Sequence, residues 1–147
     1  MNYEARTERI PEEEKAKGKL KNYKLKHSRL LTCYSALLYL LAVFRQQGSV
    51  HPSDALAMIG LTPTERLQWL RDQPWLAEAH ENVDQLLDQY EQFLATTNHP
   101  ESEIVNSFMD KQVSGRYMTA AYKFGDLVFE VLARIGHGNL FYRLLVV

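Results

Sequence analysis

The sequence predicts an all-α protein, organised as a single bundle-like domain of about six helices. Two observations carry that reading. Apolar residues recur at three- and four-residue spacing along most of the 147-residue chain, and no stretch alternates apolar and polar residues between Asn-Gly turns. A chain of this length buries about two-thirds of its unfolded surface, enough for one core. No internal repeat or long linker divides it.

Residues 1–18 are charged, contain Pro11 and Gly18 and lack apolar periodicity, so they are expected to form a flexible charged arm ahead of a helical domain over 19–147. From Leu20 the stripe Tyr23, His27, Leu30, Tyr34, Leu37, Leu41 and Phe44, widened by Leu31 and Leu38, predicts a long helix over 20–47. Gly48 suits the left-handed position that ends it. Its apolar run, 30–44, has 15 residues, short of the ~20 that span a bilayer, so it reads as a buried core helix with no membrane span.

Two short helices, 53–59 and 63–72, follow within SDALAMIGLTPTERLQWL. Thr62 caps the second, Pro63 takes its first position, and Glu65 reaches back to complete a capping box. Residues 75–96 carry the clearest pattern, with Leu76, Ala79, Val83, Leu86, Tyr90 and Phe93 stepping 3-4-3-4-3 opposite an acidic face. A short helix over 101–112 and a long one over 116–135, separated at Ser114-Gly115, complete the set. The chain ends in LFYRLLVV.

Composition narrows function by exclusion. The net charge of −1 gives no global pull toward phosphate or acidic membranes. Cys33 is the only cysteine, which rules out an internal disulfide and a multi-Cys metal site and fits a reducing, cytoplasmic setting. None of the five histidines has a Glu three residues before it or a His four away, so helical di-iron and zinc ligand sets are missing. His80, Asp84 and Asp88 share one helix face and could at most hold a cation weakly; a solvated acidic face is the simpler reading. There is no Gly-x-Ser-x-Gly elbow and no phosphate-binding glycine loop. No catalytic residue, cofactor or metal site is therefore expected, and the chain reads as non-enzymatic.

Two partner classes remain. The first is protein, either self or another subunit of a complex. Leu76, Val83, Leu86, Tyr90 and Phe93 on the seam, with Phe141, Tyr142, Leu144 and Leu145 in the tail, offer more apolar surface than a small bundle absorbs, as core or as the contact face of a homodimer or accessory subunit. The second is nucleic acid. Residues 15–29 carry seven cations and no acid: Lys15, Lys17, Lys19, Lys21, Lys24, Lys26 and Arg29, around Tyr23 and His27. Such a segment neutralises phosphates and stacks on bases. A helix–turn–helix over 53–70 would then bring Thr62, Thr64 and Arg66 to base edges. Its register is one residue late, since the apolar anchor Leu67 falls seven after Gly60.

Overall fold

The computed structural model describes residues 3–139, with side chains from Pro11 onward, and all of its regular elements are helical. Helix α1 (Tyr3–Lys24) passes through one π turn (Leu25–Arg29) directly into α2 (Leu30–Gln47), so the three run as one rod. There follow α3 (Pro52–Ile59), α4 (Pro63–Asp72), a 3₁₀ turn (Pro74–Ala79) continuing into α5 (His80–Thr97), α6 (Glu101–Met109) and α7 (Lys111–Gly136). These six rods form the all-α bundle the periodicity predicts.

The local signals act as expected where they are strongest. Gly48 takes φ 74°, and its amide closes on the Phe44 carbonyl. The Thr62 hydroxyl accepts from the Glu65 amide at 3.2 Å while Glu65 accepts from the Thr62 amide at 2.7 Å, a complete capping box. The start of α7 carries a cap the sequence reading overlooked. Asp110 accepts from the amides of Gln112 and Val113, so the helix begins at Lys111 and runs through Ser114-Gly115 without a break.

Three further boundaries differ from the expected ones. Residues 3–18 are helical, where a flexible arm was expected over 1–18; Glu, Lys and Ala form helix readily, and Ala16, Leu20 and Tyr23 give α1 a narrow apolar edge buried against α6. The expected helix over 75–96 begins as a 3₁₀ turn, in which Leu76 departs from helical geometry and the Trp75 indole donates to the Ala42 carbonyl at 3.2 Å. The helix expected over 101–112 stops at Met109, where Asp110 turns extended to cap α7.

The π turn changes which residues face inward. Of the stripe that the sequence placed at Leu30, Tyr34, Leu37 and Leu41, only Leu41 is buried; the inward line runs one position on, through Leu31, Ser35, Leu38 and Ala42, so that the expected flank Leu31 and Leu38 becomes its centre. The spacing from Tyr23 through His27, Leu31 and Ser35 is three steps of four, which would drift about 120° round an ideal α-helix. One wider turn absorbs that drift and keeps all four on the same side. Leu30, Tyr34 and Leu37 are left half-buried on the flank.

Two cores result. The larger joins α2, α4, α5 and α7 around Leu38, Leu67, Leu70, Val83, Leu86, Phe124 and Val128. The smaller joins α1 and α6 with the end of α5 and the middle of α7, around Leu20, Tyr23, Phe93, Ile104 and Phe108. His27 connects them, stacked at 4.5 Å on Phe93 of the smaller core and at 4.8 Å on Phe124 of the larger. By length and composition the rod Pro11–Gln47 contains a stretch apolar enough to cross a membrane, and 44% of that stretch lies buried within the fold.

Candidate functional site

The seam on α5 is used internally. Leu76, Val83 and Leu86 are fully buried in the larger core, Phe93 is buried in the smaller one, and Tyr90 packs on both. Of the two expected roles for these five, core and contact face, they take the first: their own bundle covers them. Phe141, Tyr142, Leu144 and Leu145 lie outside the described residues.

Arg66 and Thr62 of the expected helix–turn–helix are engaged within the fold. Arg66, expected near bases, is 9% exposed, and its guanidinium points into the fold. Nε donates to the Met58 carbonyl at 3.0 Å, and Nη1 donates to the Thr32 carbonyl and the Ser35 hydroxyl at 3.3 and 3.2 Å. The guanidinium thereby ties α4 to α3 and α2. Thr62 spends its hydroxyl on the cap, and Thr64 is half-buried. In the basic segment, Tyr23 and His27 are both buried, so neither aromatic is free to stack on a base. Lys15, Lys17, Lys19, Lys21 and Arg29 stay exposed, with Lys17 near Glu13 and Glu14 at 3.9 Å, while Lys24 and Lys26 are half-buried. On α5, His80 donates from Nε2 to the Gln73 carbonyl at 2.8 Å and Asp84 faces Arg71 at 3.6 Å, so two of the three groups on the acidic face already serve the fold.

Two grooves flank α7, and neither was legible in the sequence. The first, of about 470 Å³, lies between the π turn with the start of α2 and the adjoining face of α7. Its walls are mainly apolar: Leu25, Leu30, Cys33 and Tyr34 on one side, Ala121, Tyr122, Gly125 and Phe129 on the other. Tyr122 and Phe129 are exposed, and Lys26 sits over the Tyr122 ring with its ammonium 3.8 Å from the centroid. The displacement of Leu30 and Tyr34 by the π turn supplies one wall. Arg29 stands on that wall and Asp126 on the opposite one, and no ion pair engages either among the described residues.

The second groove, of about 960 Å³, opens on the other flank of α7, between α7 and α5. It is polar. Lys111, Arg116 and Lys123 line it with Gln89, Gln92, Gln112 and Thr119, and no carboxylate does. His27 also lines it, although its residue surface is 2% exposed. The ring donates from Nδ1 to the Tyr23 carbonyl at 2.9 Å, which fixes the neutral tautomer and leaves Nε2 as a bare acceptor. Burial between the aromatic rings holds the His27 pKa below the ordinary histidine value, against the opposing pull of the Tyr23 carbonyl.

A third polar cluster sits where α2 ends beside α7. Arg45 pairs with Glu78 and donates to the Arg134 carbonyl at 3.2 Å. The Glu78 carboxyl is held below its usual range by its own backbone amide first, then by Arg45 and Arg134. These groups satisfy one another and join helix ends.

Compared with known protein families, curated proteins and solved structures, the chain matches none.

Proposed function

We propose that the protein is a non-enzymatic helical accessory or regulatory protein that works through protein–protein contact, and that its contact surface is the apolar groove between α2 and α7. The partner favoured is a second copy of the chain. One observation carries this reading: an apolar trough with exposed Tyr122 and Phe129 is bordered by an unpaired cation, Arg29, on one wall and an unpaired anion, Asp126, on the other. A surface with opposite charges on opposite rims is self-complementary under a two-fold axis, because each Arg29 meets the Asp126 of the other copy. The apolar floor supplies the gain from burial, and the rim charges set the register.

Sedimentation over a concentration series tests it. The wild-type chain is expected to dimerise at about micromolar concentration, an affinity ordinary for small interfaces. Phe129→Glu is expected to leave a folded monomer. Arg29→Asp and Asp126→Arg should each weaken the dimer, and the two together should restore it. A wild-type monomer at all concentrations would refute the self-association. So would single charge reversals without effect.

A further inference from the structure

The polar groove on the other flank of α7 is independent of that contact surface, and its chemistry is of a different kind. Three unpaired cations from one helix, Lys111, Arg116 and Lys123, line a trough in which no carboxylate competes for them. Arg116 and Lys123, seven residues apart, share one flank of the helix, and Lys111 joins the lining from the first turn, about 140° further round. Arg116 and Lys123 suit a dianion with several acceptor oxygens, of which Arg116 can grip two at once.

The floor supplies the second recognition element. All buried side-chain nitrogens and oxygens among the described residues have partners, and His27 has a partner at Nδ1 alone. Its Nε2 therefore reaches the trough, on a ring otherwise enclosed by Phe93 and Phe124. With Nδ1 holding the proton, Nε2 can only accept, so it calls for a hydroxyl or N–H on the ligand. Gly115 adds room, since a side chain at that position would extend into open space.

We propose that this groove binds a small phosphorylated polyol, with the phosphate held by Arg116 and Lys123, Lys111 adding positive charge further along the trough, and a hydroxyl donating to Nε2 of His27. Phosphate supplies the dianion, and the polyol supplies the donor that the floor requires. The same phosphate and hydroxyl chemistry exists in RNA, and the experiment separates the two sources.

The test is a titration followed by nitrogen shifts of the His27 imidazole and by the backbone amides of 111–123. Four probes are used: ribose 5-phosphate, sulfate (an anion without a proton to donate), ribose, and a ten-nucleotide RNA. Ribose 5-phosphate is expected to move both Nε2 and the amides. Sulfate should move the amides alone, and ribose should move neither at the same concentration. Arg116→Gln and Lys123→Gln, both at exposed positions, should each weaken ribose 5-phosphate binding about fivefold, the factor that corresponds to ~1 kcal/mol for a solvent-accessible contact. Gly115→Phe should fill the trough and abolish binding while the fold is retained. An Nε2 signal unmoved by ribose 5-phosphate, tighter binding of the RNA than of the sugar phosphate, or undiminished binding by Gly115→Phe would each overturn the proposal. None of these variants touches the Arg29 and Asp126 rims, so failure here is distinct from failure of the dimer.

Discussion

Replacing Arg66 by alanine tests whether a buried guanidinium holds the corner formed by α2, α3 and α4. Its three hydrogen bonds span 3.0–3.3 Å. A bond from a charged donor contributes about 1.5–3 kcal/mol, so three set a ceiling of several kcal/mol. Two effects lower it. The acceptors are not orphaned, because the Met58 carbonyl still accepts from the Leu61 amide at 3.2 Å and the Thr32 carbonyl from the Ser35 hydroxyl at 3.4 Å. The variant also avoids the cost of desolvating a guanidinium that has no carboxylate partner. The net expectation is a loss of about 2–4 kcal/mol, with a melting temperature lower by about 5–12 °C for a chain of this size. Arg66→Lys keeps the charge but cannot reach all three acceptors, so it should recover only part of the loss. Urea unfolding followed by far-UV circular dichroism measures both. An Arg66→Ala chain within about 0.5 kcal/mol of wild type, the range of ordinary surface substitutions, would refute the argument.

Further outcomes follow from other contacts. Because burial lowers the His27 pKa in the fold, the unfolded chain takes up a proton below its ordinary value near 6.5 while the folded chain stays neutral. The contribution of His27 to stability is therefore full above that pH and is lost as pH falls toward the folded pKa, with a slope of at most about 1.4 kcal/mol per pH unit. Urea midpoints between pH 7 and 5.5, compared with those of His27→Gln, isolate this slope. Asp110→Ala should cost about 1 kcal/mol by freeing two amides at the start of α7, and Asp110→Asn should retain most of it. Leu56 and Ile59 on α3 are 70% and 67% exposed, so Leu56→Ser and Ile59→Thr should move stability by no more than about 0.5 kcal/mol in thermal melts.

The fold was legible in the sequence wherever a helix has one broad apolar face or an explicit cap. The α5 seam, the Gly48 terminus and the Thr62–Glu65 box behave as their residue types dictate. Legibility failed for α1, whose apolar edge is only Ala16, Leu20 and Tyr23 among charged neighbours; that edge is recognisable only once α6 is in place beside it. It failed differently at Arg66, since a cation at the start of a second short helix reads as a phosphate or base contact until the two carbonyls and the hydroxyl it meets are placed in space. The grooves draw on residues far apart in sequence, from 22 to 129 and from 27 to 123, and no local pattern encodes them. His27 did leave a trace. It belongs to the inward stripe by spacing, and a histidine kept in such a stripe needs a partner for Nδ1, which the Tyr23 carbonyl one turn earlier provides.

The π turn makes the number of residues between α1 and α2 as much a part of the specification as their identity. Removing one residue from 25–29 would let a regular helix span the same turns with its phase nearly kept, whereas adding one would rotate everything before it by about 100° relative to α2. Ala16, Leu20 and Tyr23 would leave α6 together, and His27 would leave the Phe93–Phe124 stack. A substitution in this stretch is a local event, whereas an insertion is transmitted along the whole N-terminal rod. Both grooves depend on that phase. Leu25, Leu30 and Tyr34 wall one and His27 floors the other, so a single-residue insertion here would remove two surfaces at once while leaving composition and charge almost untouched.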